Sequence, residues 1–362
     1  MPGWFANNMP LALPILGNTQ LLDYLSQDNL ASVRKGFTIY DKNILVHSES
    51  NSRAVAFYQD HGFEPVYWWS HAAIARDWYR YAEEDPALLP NDNVPPILFN
   101  VYNRAWNGPR EYRMKFADLV IDAGLQQQCV IKFARYDQGT HWRDHEFQNS
   151  LLRPGNDLEC LPENQTDSWF SADYNSRDYR KAWWDVVLET MFDDSRVHLT
   201  EKILRPIACG KPFICASGPG SLAMLQSYGF ETFGELIDES YDQEHDSMRR
   251  LEKIIGAMQQ INSWSHAQKT QVHRRITQIV NKNKRRFFSR DFLNHVFDEL
   301  DTNFAEAFTR CQHHRQGIAW SRTRALARHN STSKAFFTSD NYSRSRSDIA
   351  DICQMLRIIR RQ

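Results

Sequence analysis

Strand, loop and helix patterns alternate along residues 96–264, and this alternation restricts the fold more than any other feature of the sequence. Short apolar runs at 97–102, 184–188 and 212–216 are each followed by a polar loop and then by an amphipathic stretch that ends at a glycine. Strands that are separated by helices pair in parallel. The pattern therefore predicts an α/β fold with a doubly wound, Rossmann-type sheet.

A smaller unit of the same kind precedes this region. Residues 43–47 and 65–69 read as strands, and each precedes a helical stretch that runs to about 60 and from 70 to 82. The proline-rich run 88–96 marks a boundary, and the chain from 265 onward is helical and basic. We therefore expect a small N-terminal α/β domain, a larger α/β domain and a helical C-terminal segment. Their predicted limits are 1–95, 96–264 and 265–362.

Less regular segments carry three further predictions. Residues 137–168 are expected to form a long loop, 230–233 a short strand and 238–262 a long polar helix.

Composition narrows the class of protein. The chain is 42% hydrophobic and 24% charged, which is typical of a globular protein. No stretch approaches the roughly 20 apolar residues that span a membrane, and the N-terminus lacks a basic leader. The six cysteines form no CxxC pair, which favours reduced thiols over a zinc site. A cytoplasmic protein without a membrane span is expected.

Positive charge is concentrated at the C-terminus, where residues 273–362 hold 18 Lys and Arg against 8 Asp and Glu. Basic residues alternate there with aromatic ones, a pattern that can follow a nucleic-acid phosphate backbone. A solvated helical tail is the alternative interpretation. The residues expected to contact nucleic acid are Arg322, Arg324, Arg328 and Lys334.

The main candidate site follows the strand at 184–188. Glu189 stands at the carboxyl end of that strand, where ligands bind in parallel sheets. Thr200 is expected to cap the next helix, with Glu201 and Lys202 in its first turn. A carboxylate can hold a ribose diol, and a lysine at a helix N-terminus can hold a diphosphate.

Two neighbouring segments could contact the same anion. The turn that contains Ser217, Gly218 and Gly220 allows backbone amides to approach a phosphate closely. Arg104 and Arg110 follow the first strand of the same domain and could clamp a pyrophosphate. An exposed arginine or a solvated Glu-Lys pair is the alternative interpretation of these residues.

The order of these residues resembles a known family. Glu189, then Thr200, Glu201 and Lys202 at a helix start, then Gly210-Lys-Pro before a strand, is similar to the donor-binding segment of α1,3-fucosyltransferase-like glycosyltransferases of the two-domain GT-B kind. The resemblance extends through residues 218–242, in a pattern similar to that of virus-encoded (phage) and bacterial sugar transferases. It implies that Glu201 holds the ribose and Lys202 the phosphates of a nucleotide sugar.

A catalytic base is expected on the N-terminal domain, because inverting transfer needs a group that accepts the proton of the acceptor hydroxyl. Glu49 is the first candidate and His71 the second. No metal or other cofactor is expected, since Asp193 and Asp194 lie in a polar loop and GT-B enzymes can use cationic side chains instead.

The sequence therefore predicts a nucleotide-sugar-dependent glycosyltransferase. Its acceptor would be a hydroxyl group, for which we consider a hydroxymethylated base in phage DNA, in the host cytoplasm. The alternatives are a transferase for a glycan or lipopolysaccharide acceptor, and a non-enzymatic α/β protein that binds nucleotides or nucleic acid.

Overall fold

The computed structural model describes residues 43–60, 63–88, 93–163 and 172–313. The strands are β1 (Asn43–His47), β2 (Phe63–Tyr67), β3 (Ile97–Asn103), β4 (Cys129–Phe133), β5 (Tyr136–Asp137), β6 (Thr140–His141), β7 (Ala182–Leu188) and β8 (Phe213–Ala216). The α-helices are α1 (Ala54–Asp60), α2 (Ser70–Trp78), α3 (Tyr112–Asp122), α4 (Ser176–Lys181), α5 (Glu201–Ala208), α6 (Ser221–Ser227), α7 (Ser247–Ser263), α8 (His266–Phe288) and α9 (Arg290–His313). The prediction of an α/β protein with parallel sheets is confirmed.

The chain separates into two compact units. One contains residues 1–70 and 293–362, and the other contains residues 71–292. These limits differ from the predicted domain limits at 95 and 264, which rest on sequence pattern and stay a prediction. In the part that the structure describes, no helix is both long and apolar enough to cross a bilayer.

In the first unit, β1 and β2 form a parallel pair in which Val46 lies opposite Val66. The later part of α9 packs on this pair. The side-chain amide of Asn303 donates a 2.8 Å hydrogen bond to the carbonyl of Tyr67, and the rings of Trp68 and Phe297 lie 5.8 Å apart. The small N-terminal unit is therefore completed by residues from the far end of the sequence.

In the second unit, four parallel strands form a sheet in the order β4-β3-β7-β8. Every residue of β7 is buried, as expected for a parallel strand that helices cover on both faces. The chain passes from β3 outward to β4 and then returns to place β7 on the other side of β3. Such a reversal creates a crevice at the carboxyl ends of the two central strands.

A buried polar network attaches α5 to this sheet. The Arg205 guanidinium donates to the Tyr179 hydroxyl at 3.1 Å, and that hydroxyl donates to Asp185 at 2.6 Å. Burial raises the pKa of Asp185 to about 6, although Arg205 and the Tyr179 hydrogen bond act in the opposite direction. The network fixes the orientation of α5 relative to β7, and it therefore positions the residues at the start of that helix.

Several local predictions differ from the structure. The strand predicted at 65–69 spans 63–67, and the helix predicted to run from 70 to 82 ends at Trp78. Residues 230–233 form no strand, and their aromatic side chains instead pack in the core, where Phe230 contacts Phe292 at 5.1 Å between ring centroids. The helix predicted from 238 begins at Ser247, because Asp246 caps it by accepting from the amide of Arg249 at 2.8 Å. The predicted loop 137–168 contains the short antiparallel pair of β5 and β6.

Candidate functional site

The crevice at the carboxyl ends of β3 and β7 gathers several of the predicted residues. Arg104 directly follows β3, and Glu189 directly follows β7. The two strands are hydrogen-bonded neighbours, so their carboxyl ends lie side by side. Predicted residues that are 85 positions apart in the sequence therefore flank one edge of the sheet.

Glu189 stabilises the structure at this edge of the sheet. Its carboxylate is buried and accepts hydrogen bonds from the Thr200 amide (3.1 Å), the Thr200 hydroxyl (2.5 Å) and the Ile203 amide (3.2 Å). The carboxylate thus occupies the N-terminus of α5, where negative charge is stabilised by the helix dipole. The amides of Thr200 and Ile203 at the start of this helix are therefore bound by a side chain of the protein itself.

Thr200 caps α5 as predicted. Its backbone is extended, and its hydroxyl accepts from the Lys202 amide at 3.3 Å. The cap and Glu189 together fix where the first helical turn begins, and they present Glu201 and Lys202 at the sheet edge.

Glu201 and Lys202 form an ion pair, with 3.0 Å between the carboxylate oxygen Oε1 and Nζ. The other carboxylate oxygen lies 3.2 Å from Nδ1 of His71. Burial alone would raise the pKa of the Glu201 carboxyl, but Lys202 and the contact with His71 outweigh it and hold that pKa well below its usual range. Glu201 is therefore a buried carboxylate that stays ionised.

Lys202 keeps partial access to solvent. A quarter of its side chain is exposed, and its ammonium also contacts the hydroxyls of Thr200 at 3.1 Å and Thr190 at 3.4 Å. A phosphate oxygen can replace a hydroxyl as an acceptor for an ammonium group. The lysine is thus a preoriented cation at the edge of the sheet.

His71 completes the cluster, although the sequence placed it on another domain. Its Nδ1 faces Glu201, and its ring packs edge-on against the ring of His198 at 5.2 Å between centroids. Among the described residues, none forms a hydrogen bond with Nε2 of His71, and the side chain is 19% exposed. A histidine oriented by a carboxylate at one nitrogen can accept a proton at the other.

Three arginines lie beside β3. Burial, together with the neighbouring charges of Arg113 and Arg104, lowers the pKa of Arg110. The charges of Arg113 and Arg104 thus act against the protonated form of Arg110, while Asp137 favours it. Among the described residues, no hydrogen bond or ion pair to the Arg110 guanidinium is found.

Arg113 was not singled out by the sequence, yet it joins the two strand ends. Its guanidinium donates to the carbonyls of Ala105 (2.7 Å), Leu188 (2.6 Å) and Glu189 (2.9 Å). The preceding residue, Tyr112, also donates to the carbonyl of Glu189 at 2.5 Å. A buried arginine in the first turn after a strand-end loop is a weak sequence signal, because its partners are distant backbone carbonyls.

The glycine turn after β8 has a packing role. A Cβ atom on Gly218 would lie 2.7 Å from the carbonyl oxygen of Arg196, so only glycine fits. The Asp242 carboxylate accepts from the amides at the start of α6, including that of Leu222 at 2.9 Å. The amide of Gly220 donates to the backbone carbonyl of Asp242 at 2.8 Å, and the anion-binding role predicted for Ser217, Gly218 and Gly220 stays a prediction.

Glu49 lies in the other compact unit, two residues after β1. It is buried and accepts a 3.0 Å hydrogen bond from the Ser52 hydroxyl. Nearby, burial lowers the pKa of His47 to about 4. The catalytic role of Glu49 stays a prediction.

The residues predicted to contact nucleic acid, Arg322, Arg324, Arg328 and Lys334, lie outside the described residues. Within the described ranges, no group of three or more His, Cys, Asp or Glu side chains is arranged to hold a metal ion.

Comparisons with known proteins found no relative, since no family model, curated protein or solved structure matches the chain.

Proposed function

We propose that the protein is a nucleotide-sugar-dependent glycosyltransferase whose donor lies at the carboxyl edge of β3 and β7. The observation that carries the proposal is the His71–Glu201–Lys202 cluster at this edge, beside the cationic group around Arg110. A diphosphate needs cations, and transfer to a hydroxyl needs a base. Both kinds of group are present within one compact unit.

Lys202 and Arg110 are the proposed diphosphate contacts. Lys202 is partly exposed and already oriented by Glu201, and Arg110 is a half-buried cation. Charge-assisted hydrogen bonds from such groups stabilise the negative charge that develops on the departing diphosphate.

His71 is the proposed base, in preference to Glu49. As the acceptor oxygen attacks the anomeric carbon, its proton moves to Nε2 of His71. The bond between that carbon and the diphosphate oxygen breaks, and the electron pair leaves with the diphosphate. Glu201 holds Nδ1 and stabilises the imidazolium that forms. This role differs from the ribose contact that the sequence resemblance implies for Glu201.

The first experiment is a thermal-shift screen of the full chain against GDP-, UDP-, CMP- and dTDP-sugars. A donor that binds the folded state raises the melting temperature. The hydrolysis of that donor without acceptor is then measured for wild type, His71→Asn and the exposed control His266→Asn.

We expect His71→Asn to slow donor turnover by about 10²–10⁴-fold while nucleotide affinity stays within about twofold, because a base acts in the chemical step and not in binding. Binding of a donor with no turnover in wild type would favour the non-enzymatic nucleotide-binding alternative. No binding of any donor would remove the proposal.

For the acceptor, we propose the hydroxyl of a modified base in phage DNA. The support is the basic composition of 273–362 alone. If that segment contacts phosphates, the affinity of the full chain for duplex DNA falls steeply with salt. A flat salt response would leave a glycan or lipopolysaccharide acceptor as the better proposal.

A further inference from the structure

A second cavity lies at the opposite edge of the same sheet. It is formed near the amino ends of β7 and β8 and is closed on one side by α8. Its volume is about 90 Å³, several times the ~10–15 Å³ that one water molecule needs. Its lining includes Trp183, Lys211, His273, Thr277, Asn281 and Lys284.

The charge of this cavity is entirely basic. Lys211 and Lys284 both line it, and no Asp or Glu is among its described lining residues. Neither ammonium group has a hydrogen bond or an ion pair to any described residue. This distinguishes them from Lys202, Lys253 and Lys282, each of which faces a carboxylate.

Burial lowers the pKa of both lysines, Lys211 and Lys284. It lowers the pKa of Lys211 to about 8, although Cys209 and Asp185 favour the charged form. It also lowers the pKa of Lys284, against the opposing influence of Cys209, Asp85 and Glu83. Keeping two desolvated cations near one cavity is costly unless an anion compensates them.

The rest of the lining suits a small oxyanion. Thr277 and Asn281 lie one helical turn apart on the face of α8 that lines the cavity. The side-chain amide of Asn281 can donate to a ligand, whereas the Thr277 hydroxyl donates to the carbonyl of His273 at 2.8 Å and can accept. Trp183 is buried, and its indole N–H has no hydrogen-bond partner among the described residues. The site thus combines two ammonium groups with neutral donors, which is the donor set that phosphate oxygens accept from.

Space for a larger ligand adjoins the cavity. An open depression of about 540 Å³ shares Asn281 and Lys284 with it and is also lined by Glu83, Arg285, Phe288 and Ser289. A phosphate seated between the lysines could therefore carry an organic group into the depression.

From this geometry we infer that the cavity is a phosphate-binding site, in which Lys211 and Lys284 hold the phosphate group of a small phosphorylated compound. The site lies at the amino edge of the sheet and is independent of the proposed donor site at the carboxyl edge.

Calorimetric titration at constant ionic strength tests the inference. The full chain is titrated with inorganic phosphate and, separately, with phenyl phosphate, a monoester. The variants are Lys211→Met, Lys284→Met and, as the matched control on the same helix, Lys282→Met.

Each cavity variant is expected to weaken phosphate binding by about tenfold or more, the effect of losing one charge-assisted hydrogen bond. Lys282→Met is expected to bind phosphate as wild type does. Tighter binding of the monoester would identify an ester as the ligand, and equal binding would identify the free anion; either supports the site. Absence of binding by both compounds to wild type, or equal affinities in all variants, would overturn it.

Acylation of wild-type lysines, measured by mass spectrometry, gives a second readout that does not depend on the folding of a variant. Phosphate is expected to protect Lys211 and Lys284 from the reagent and to leave Lys282 unchanged. Equal modification of Lys211 and Lys284 with and without phosphate would contradict the inference.

Discussion

Lysine side chains have different surroundings at the two edges of the four-stranded sheet. At the carboxyl edge, the Lys202 ammonium contacts a carboxylate and two hydroxyls. At the amino edge, Lys211 and Lys284 are partly buried without an ion pair among the described residues. The same residue type is thus charge-compensated at one edge and uncompensated at the other. Among the described residues, Lys202 thus has a direct charge partner, whereas the burial of Lys211 and Lys284 is opposed only by groups that form no ion pair with them.

Arg113 should show the largest effect, because it fixes the carboxyl edge itself. Replacing it by methionine leaves three carbonyl oxygens without their charged donor. We expect Arg113→Met to lower the free energy of unfolding by about 3–5 kcal/mol, measured by urea denaturation. Arg143→Met, which removes an exposed arginine from its contact with Asp157, is the control and should change it by less than about 1 kcal/mol. Equal effects of the two substitutions would contradict the role of Arg113.

Replacing Glu189 should cause the second-largest loss in the free energy of unfolding. Glu189→Gln keeps the size of the side chain but removes the charge that accepts three hydrogen bonds at the start of α5. The expected loss is about 1–3 kcal/mol in the free energy of unfolding, again from urea denaturation. Glu235→Gln, at an exposed carboxylate, is the matched control. A Glu189→Gln variant as stable as wild type would mean that the carboxylate does not organise this edge.

Replacing Lys211 should raise the free energy of unfolding, in contrast to the two substitutions above. The pKa of Lys211 is about 8 in the folded protein against an ordinary value of 10.5, so the unfolded chain binds more protons between these values. The stability of wild type therefore rises with pH through this window. Lys211→Met removes the cost of burying the cation and should raise the free energy of unfolding near neutral pH by about 1–2 kcal/mol, a value discounted for partial exposure of the side chain.

The pH dependence checks this explanation. The advantage of Lys211→Met should shrink as pH rises from about 8 to 10.5, measured by urea denaturation in phosphate-free buffer. Lys282→Met should show no such trend, since Lys282 is exposed and contacts Glu231. A pH-independent difference for Lys211→Met would show that packing, and not charge, causes the change.

Part of this architecture could be predicted from patterns among neighbouring residues. The strand ends and the Thr200 cap could be predicted because strand pattern and capping depend on neighbouring residues. The placement of Glu189 at a strand end was right for the same reason. The contact between the Glu189 carboxylate and the start of α5 also depends on how the loop between them brings Thr200 to Glu189. Local sequence pattern does not specify the path of that loop.

The rest depended on contacts between distant residues. His71 and Glu201 are 130 positions apart, and the partners of Arg113 are backbone carbonyls that carry no residue-type signal. Asp242 reaches the start of α6 from beyond that helix, a contact that no local pattern specifies. The cavity at the amino edge likewise brings Lys211 together with Lys284 from α8.

We propose that Lys202, which Glu201 orients at the carboxyl edge, binds the diphosphate of a nucleotide. The direct test is a calorimetric titration of wild type, Glu201→Gln, Lys202→Met and the control Lys282→Met with the nucleotide diphosphate of the best donor. We predict that Lys202→Met and Glu201→Gln each lose about 1.5–3 kcal/mol of binding free energy, while Lys282→Met binds as wild type does. Unchanged affinity in both edge variants would contradict the claim.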